Sequence, residues 1–314
     1  MKPIRLSEEV YWRSLLCLFG GCYDGAPMLT VEEQTTDNGD SPHEERGLSP
    51  QHPPAGTGQQ KERAVQRMFS SIACYYDLNN SLLSFGLHHF WKRKAVEFLA
   101  EDPPHPDPLP PGARGKFGVP PGEREAVKLV LDVGAGTADL ALLAANSLGN
   151  GARIVAADLN RPMLAIGAEK VRKAHRQNQI VCVQANAEQL CVPDGAFDAV
   201  TTGFCMRNVA NLPLALSEIR RVLKPGGRLI CLEFSRPMAS WLRRLYDWYS
   251  FSLLPWVGTK VSGDHTGVYE YLPASIRAFP DQEALARLMR EVGFSKVEYQ
   301  NLSGGIVAIH VAVK

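Results

Sequence analysis

The stretch LVLDVGAGTADL, residues 129–140, decides the fold of this chain. Its first five residues are apolar apart from Asp132, a composition typical of a buried parallel strand. Gly134 and Gly136 follow at once, and the leucines of a helical pattern begin at Leu140. A strand, a glycine-rich turn and a helix in this order let backbone N–H groups approach a ligand at the positive end of the helix. The stretch therefore predicts a ligand-binding turn.

A carboxylate after the next strand strengthens this prediction. Apolar residues 154–157 lead into Asp158, which lies 22 residues after Gly136. In nucleoside-binding α/β folds a carboxylate at this offset binds the ribose hydroxyls. Alternatively, or in addition, Asp158 caps the helix that begins near Arg161. Ala138 stands near the place of the third glycine of the NAD fingerprint, so the pattern departs from NAD-binding proteins. It resembles the D-x-G-x-G-x turn of S-adenosylmethionine (SAM) methyltransferases.

Strand and helix patterns alternate after residue 128. We expect strands at 128–133, 153–158, 180–184, 197–202, 227–234, 295–301 and 305–313, and helices at 138–147, 161–174, 211–223 and 281–292. Residues 224–227, KPGG, read as a helix stop and turn. This alternation predicts a doubly wound, mostly parallel sheet with helices on both faces. Ligands of such sheets bind beyond the carboxyl ends of the strands.

The chain before the first strand divides into three parts. Residues 1–60 are predicted to form a disordered leader, because their composition cannot bury enough apolar surface; Met28 within it is a candidate start codon. Helical patterns run from near Lys61 to Leu99, with a break at residues 77–80. Residues 103–122 contain eight of the 22 prolines and predict a solvated, mobile inserted loop. Residues 61–314 are therefore expected to form one domain.

Composition excludes several classes of protein. The net charge of +1 offers no basic surface for nucleic acid. Seven dispersed cysteines without a C-x-x-C pair favour a reducing compartment over a disulfide framework or a metal site. No apolar run approaches the roughly 20 residues of a spanning helix. We expect a cytoplasmic protein that binds no metal.

The segment WLRRLYDWYSFSLLPW, residues 241–256, contains three of the five tryptophans. Five of its apolar residues approximate one helical face: Leu242, Leu245, Trp248, Tyr249 and Leu253. Three interpretations remain open: a lid over a hydrophobic substrate, a peripheral contact with a membrane surface, and core packing against the N-terminal helices.

Longer motifs resemble one family. They are FSSIACYYDLNNSLLSFGLHHFWKR (69–93), LDVGAGTADLA (131–141), VQANAEQL (183–190), FDAVTTGFCMRNV (197–209), RVLKPGGRLICLEFSRP (221–237), VSGDHTGVYEYLPASIRAFPDQE (261–283) and NLSGGIVAIH (301–310). The chain resembles the ubiquinone/menaquinone biosynthesis C-methyltransferases over about residues 65–314, apart from the proline-rich insert. The resemblance implies a class I SAM-dependent methyltransferase with a Rossmann-like fold, a seven-stranded mostly parallel sheet and an N-terminal helical cap. It also implies SAM as methyl donor, a polyprenylated quinol as acceptor, and a homodimer as a candidate assembly.

The resemblance assigns the residues around SAM. Gly134, Gly136, Thr137 and the adjoining backbone would cradle its methionine part, and Asp158 its ribose. Asn186 and Ala187 would flank the adenine. Glu188 is either a further ligand or a solvated carboxylate. The chain departs from the family at three places. Ala138 brings a side chain closer to the backbone of the turn, and Gly203, which we also assign to the SAM site, stands where the family often has serine. Cys205–Met206 stands where Gly-Leu is usual.

The acceptor side is assigned in the same way. Arg207 would stabilise a developing phenolate, its alternative role being a structural salt bridge at the strand end. The base would be Asp264, His265 or a water held by Arg207. The substrate pocket would be formed by Tyr76, His88, Asn208, Tyr269 and Tyr271. Removal of a hydroxyl proton makes the neighbouring ring carbon electron-rich, and that carbon accepts the methyl group.

Several functional alternatives remain at this point. VSGD and GGIVA favour demethylmenaquinol as the acceptor, whereas QANAE also occurs in ubiquinone-pathway members, so ubiquinone synthesis and dual use stay open. A methyltransferase of soluble phenols on the same scaffold is the nearest rival. A non-catalytic SAM-binding subunit that scaffolds a quinone-synthesis complex is the rival from another class.

Overall fold

The protein is described here by a computed structural model, which describes residues 28–29, 58–100, 129–249 and 268–314. Most of the expected leader, all of the expected insert 103–122 and the second half of the tryptophan-rich segment lie outside the described residues.

A single sheet organises the chain. Its strands are β1 (Met28–Leu29), β2 (Leu129–Val133), β3 (Arg153–Asp158), β4 (Ile180–Gln184), β5 (Phe197–Gly203), β6 (Leu223–Phe234), β7 (Lys296–Leu302) and β8 (Val307–Val313). Their order is β1-β4-β3-β2-β5-β6-β8-β7, and β8 runs antiparallel to both β6 and β7 while the other pairs are parallel. Strands β2–β8 confirm the expected seven-stranded, mostly parallel sheet, and the two-residue β1 adds to its β4 edge.

Nine helices are described. They are α1 (Gly58–Ile72), α2 (Tyr76–Leu83), α3 (Leu87–Ala100), α4 (Asp139–Leu148), α5 (Arg161–Lys173), α6 (Leu212–Val222), α7 (Ser240–Trp248), α8 (Val268–Ala278) and α9 (Gln282–Glu291). Side chains of α6 and α9 pack with Leu131 and Val133 on one face of β2. Side chains of α3, α4 and α5 pack with Val130 on the other face. Because successive strand residues point to opposite faces, both sides of the sheet are covered, as expected.

Two local predictions were wrong. The break expected at residues 77–80 lies instead at the short 3-10 turn Ala73–Tyr75, and α2 runs through those residues. Asp77 stands in the first turn of α2, where a negative charge favours the positive end of the helix. The KPGG segment follows the end of α6 as expected, but it lies inside the bounds of β6. There the pairing with β5 shifts between Phe197–Leu223 and Ala199–Arg228.

Candidate active site

Three cavities adjoin at the carboxyl edge of the sheet. The sheet-edge cavity has an empty volume of about 800 Å³, including its open mouth, and Gly134, Asp158, Asn186 and Gly203 bring the ends of four strands to its wall. The apolar cavity has an empty volume of about 1270 Å³ and is lined mostly by aromatic and aliphatic side chains of α1–α3, α7 and α8. The small polar cavity lies beside the glycine turn.

Tyr76 and Phe204 line all three cavities. Tyr76 opens α2 of the helical cap, and Phe204 follows β5, so the spaces meet where the cap faces the sheet. The aromatic wall continues from Phe204 to Phe234 and Trp91, with ring centroids 4.7 Å and 6.2 Å from Phe204. A ligand in the sheet-edge cavity would therefore meet a ligand in the apolar cavity at these rings.

The glycine turn requires its small residues. Gly134 and Gly136 have φ of +69° and +53°, a backbone conformation that is unfavourable for residues with a Cβ. A Cβ on Gly134 would overlap the side chain of Cys205, and one on Gly136 would lie 3.1 Å from Cε of Met163. The turn is therefore closely enclosed by the segment that follows β5 on one side and by α5 on the other.

Asp158 holds this turn in place. Its Oδ2 accepts the N–H of Gly136 at 2.8 Å, and its Oδ1 accepts the N–H of Asn160 at 2.7 Å. Burial raises the pKa of Asp158, although these hydrogen bonds act in the opposite direction. The helix-cap alternative is wrong for Asp158, because Asn160 is the cap of α5 and accepts the N–H of Met163 at 3.1 Å.

Asn186 and Ala187 line the sheet-edge cavity after β4. The Asn186 amide donates to Glu62 of α1 at 3.2 Å and accepts the N–H of Glu188 at 2.9 Å. Glu188 is only half-buried, but it is not a free solvated carboxylate. Its Oε1 accepts the N–H groups of Ala210 and Asn211 at 2.7 and 2.9 Å, which braces the segment before α6.

The small polar cavity is bordered by an ion network that the sequence did not reveal. Lys92 of α3 and Lys170 of α5 donate to the two carboxylate oxygens of Asp139 at 2.8 and 2.7 Å. Thr137 donates to Asp77 of α2 at 2.8 Å and accepts from Lys170 at 3.0 Å. Although burial acts to raise it, the two ammonium groups hold the pKa of Asp139 at about 2. The network ties the helical cap to the turn.

Asp132 adds a second acidic group to the wall of this cavity. Its Oδ1 accepts from the Thr201 hydroxyl at 2.8 Å, and its Oδ2 has no hydrogen-bond partner in the described part of the chain. Burial raises the pKa of Asp132 to about 7, with the Thr201 hydroxyl opposing. The sequence signal was a carboxylate inside an apolar strand, because such a group needs a partner or a ligand.

Arg207 forms the buried salt bridge that the sequence left as its alternative role. Its Nη1 lies 3.1 Å from Oε2 of Glu233 and donates to the carbonyl of Phe204 at 2.6 Å. The guanidinium carbon lies 5.2 Å from the centre of the Phe234 ring. Arg207 nevertheless lines the apolar cavity. Its Nε has no hydrogen-bond partner among the residues described.

The other expected acceptor-side residues are placed as follows. Tyr271 of α8 donates to Oδ1 of Asn208 at 3.2 Å, and burial raises its pKa. Tyr271 and His88 line the apolar cavity, and Asn208 lines the sheet-edge cavity. Asp264 and His265 lie outside the described residues, as does the side chain of Tyr269 in the first turn of α8.

Comparison with known proteins identifies the family. Residues 57–314 match the sequence profile of the ubiE/COQ5 methyltransferase family. This chain belongs to that family. It is a SAM-dependent methyltransferase, as the glycine turn and the strand order predict.

Three curated relatives of this methyltransferase share the name ubiquinone/menaquinone biosynthesis C-methyltransferase UbiE. The protein of Francisella philomiragia subsp. philomiragia is 41% identical over 82% of this chain and 93% of its own length. Those of Pectobacterium carotovorum and Vibrio cholerae are 43% and 42% identical, each over 81% of this chain and over 92% and 89% of their own lengths.

Among solved structures, the [4+2]-cyclase SpnF is similar in fold. It superimposes with a TM-score of 0.53 at 18% sequence identity, over 83% of this methyltransferase and 97% of the cyclase. At this identity the likeness concerns the fold alone.

The first half of the tryptophan-rich segment forms α7, which has no buried residue. Core packing is therefore the wrong interpretation for residues 240–248, whereas Tyr249, the next residue, packs against the apolar cluster that Val65, Met68 and Ile72 of α1 form with Tyr271. The face expected from the sequence is also wrong in part. Leu242 packs on Gly304, and Tyr246 and Tyr249 line the apolar cavity. On the outer side, Trp241, Leu245 and Trp248 are exposed.

Proposed function

We propose that this methyltransferase methylates a ring carbon of a polyprenylated quinol, with demethylmenaquinol as its acceptor. The observation that carries the proposal is the meeting of the sheet-edge and apolar cavities at Tyr76 and Phe204. A methyl donor at the sheet edge and an aromatic, hydrophobic acceptor under the helical cap would face each other there. The names of the curated relatives support the same class of acceptor.

The residues at the sheet edge fit SAM. Asp158 offers carboxylate oxygens to ribose hydroxyls, and Asn186 with Ala187 suits the adenine edge. Asp132 lines the small polar cavity, and its Oδ2, which has no partner among the described residues, would suit the ammonium group of the methionine part. Gly134, Gly136, Thr137 and Gly203 leave room for the chain between them. When bound, SAM supplies a methyl group on a positively charged sulfur.

On the acceptor side, the protein would orient the ring, exclude water and stabilise the negative charge that develops on the ring oxygen. Arg207 would stabilise the phenolate that forms when a ring hydroxyl loses its proton. Tyr76, His88, Asn208, Tyr269 and Tyr271 would enclose the ring. The proton would pass to Asp264, to His265 or to a water held by Arg207.

The choice between the two quinone pathways is tested in cells and with purified protein. Cells lacking this protein should accumulate a demethylated menaquinone precursor by mass spectrometry of extracted lipids, while their ubiquinone pool stays methylated. Accumulation of a ubiquinone precursor alone would contradict the menaquinone assignment, and accumulation of both would indicate dual use. Turnover of demethylmenaquinol but not of small soluble phenols by purified protein would exclude the phenol methyltransferase.

We also propose that the protein docks peripherally on the cytoplasmic face of the membrane. Trp241 and Trp248 of α7 are 67% and 59% exposed, and Phe85, at the mouth of the apolar cavity, is 78% exposed. The Phe85 ring lies 5.9 Å from that of Tyr249. This contact connects the exposed face of α7 with the mouth of the apolar cavity. Exposed tryptophans beside arginines are typical of membrane-surface helices. In the described part of the chain, no helix is long and apolar enough to cross a bilayer.

Vesicle binding tests this docking. Wild-type protein should co-sediment with vesicles of phosphatidylcholine and phosphatidylglycerol, and the double variant W241S/W248S should lose most of this binding. L214S, which alters an exposed leucine on α6, is the matched control and should bind as the wild type does. Equal binding of all three proteins would contradict the proposed surface.

The homodimer stays a prediction, which sedimentation equilibrium in detergent tests.

A further inference from the structure

The hydrogen bonds around Ser84 assign the tautomer of His88. The Ser84 hydroxyl oxygen lies 2.6 Å from the carbonyl oxygen of Asn80 and 2.8 Å from Nδ1 of His88. A carbonyl carries no hydrogen, so the single hydroxyl hydrogen of Ser84 must lie in the shorter contact. Ser84 therefore accepts from His88, and Nδ1 carries the ring hydrogen. Nε2 of His88 is left with a lone pair.

This lone pair belongs to a buried side chain on the wall of the apolar cavity. His88 is 4% exposed, and no described residue makes a hydrogen bond to its Nε2. Lys92, one turn further along α3, lines the same cavity. Burial, the ammonium of Lys92 and the ring of His89 lower the pKa of His88 to about 4, against the opposing charges of Asp139 and Asp77. The imidazole is therefore neutral at neutral pH, where Nε2 can accept a hydrogen bond.

We propose that His88 is the specificity-determining residue that makes the acceptor site select the reduced ring over the oxidised ring. A quinol hydroxyl has a hydrogen to donate to Nε2. A quinone carbonyl has none, and it would place a second acceptor against this lone pair, which is unfavourable. The inference rests on the proposed quinol acceptor and adds to it the group that distinguishes the two redox states.

The cations of the apolar cavity cannot make this distinction alone. Arg207 and Lys92 are donors without acceptor atoms, and they would serve a hydroxyl oxygen or a carbonyl oxygen alike. Ser84 acts through His88, because it fixes which ring nitrogen carries the hydrogen. Loss of the Ser84 hydroxyl would let the hydrogen move to Nε2, and the site would then offer a donor to the quinone.

Binding of the two ring forms tests the proposal. The probes are 2-geranyl-1,4-naphthoquinone and its dithionite-reduced quinol, measured by anaerobic equilibrium dialysis with saturating S-adenosylhomocysteine so that no turnover occurs. Wild-type protein should bind the quinol at least ~10-fold more tightly than the quinone, which corresponds to one hydrogen bond of about 1.4 kcal/mol.

Two variants separate the role of His88 from a structural one. H88N keeps a donor toward Ser84 but loses Nε2, so it should weaken quinol binding ~10-fold and change quinone binding less than about 2-fold. S84A should instead strengthen quinone binding several-fold. H175N, at an exposed position that does not line the apolar cavity, is the control and should keep the wild-type ratio. Parallel weakening of both forms by H88N would contradict the proposal, as would equal affinities in the wild type. A wild-type protein that binds S-adenosylhomocysteine but neither ring form would contradict the proposed acceptor itself.

Discussion

The N–H of Gly136 donates to Oδ2 of Asp158 at 2.8 Å and so joins the glycine turn after β2 to the end of β3. One carboxylate thus sets the shape of the turn and lies in the cavity where a ribose would bind. The separation of these residues in the sequence reflects this geometry, because the intervening helix must return the chain to the neighbouring parallel strand.

Asp158→Ala should weaken SAM binding about 100-fold, because up to two charge-assisted hydrogen bonds of ~1.5–3 kcal/mol each are lost. Isothermal titration calorimetry measures the affinity directly. Glu169→Gln, which alters an exposed carboxylate on α5, is the matched control and should leave the affinity unchanged. An unchanged affinity in Asp158→Ala would refute the ribose assignment.

Arg207→Ala should lower turnover far more than SAM affinity, but it also leaves Glu233 buried without its partner. Breaking such a pair costs about 3–5 kcal/mol of stability, whereas replacing both partners with apolar residues is often nearly neutral. The double variant R207M/E233M should therefore unfold in urea close to the wild type and still be inactive. Wild-type turnover in this double variant would show that Arg207 has only a structural role.

Ala138 is held at φ +61°, a conformation that costs a residue with a Cβ about 1–2 kcal/mol. Ala138→Gly relieves this strain but loses a buried methyl group worth about 0.8 kcal/mol, so the stability should change by less than about 1 kcal/mol. Ala141→Gly, three residues later in α4 and equally buried, loses the methyl group and helix propensity and should cost about 2 kcal/mol. Equal costs in urea unfolding would contradict the strain at Ala138.

His310 makes stability depend on pH. Its Nε2 donates to the carbonyl of Gln282 at 2.8 Å, and its Nδ1 is buried with no partner in the described residues. Burial lowers the pKa of His310 from 6.5 to about 4. Below pH 6.5 the unfolded chain therefore binds a proton that the folded protein does not bind, and the free energy of unfolding decreases as the pH falls toward 4.

Between pH 7.5 and 5 this loss amounts to about 2 kcal/mol. Urea unfolding at the two pH values should show a correspondingly smaller decrease for His310→Gln than for the wild type, because glutamine does not titrate. His175→Asn, at an exposed position, should retain the wild-type decrease. An equal decrease in His310→Gln would show that His310 does not cause the loss of stability between pH 7.5 and 5.

The sequence predicted the features that are local or repeated. The run from Leu129 to Leu140 defines the turn, and the offset of Asp158 follows from one strand–helix–strand unit. The Lys92–Asp139 pair and the partner of Arg207, Glu233, could not be predicted, because the paired residues lie 47 and 26 positions apart in the sequence. The outer face of α7 was mistaken because periodicity alone does not say which apolar side chains a neighbour covers.

The most direct test of the central claim is methyl transfer by purified protein from isotope-labelled SAM to demethylmenaquinol under reducing, anaerobic conditions, followed by mass spectrometry of the extracted lipid. The wild type should add one labelled methyl group to the ring, and the folded R207M/E233M variant should add none. A wild-type protein that binds SAM tightly but labels neither demethylmenaquinol nor the corresponding ubiquinone precursor would contradict the account.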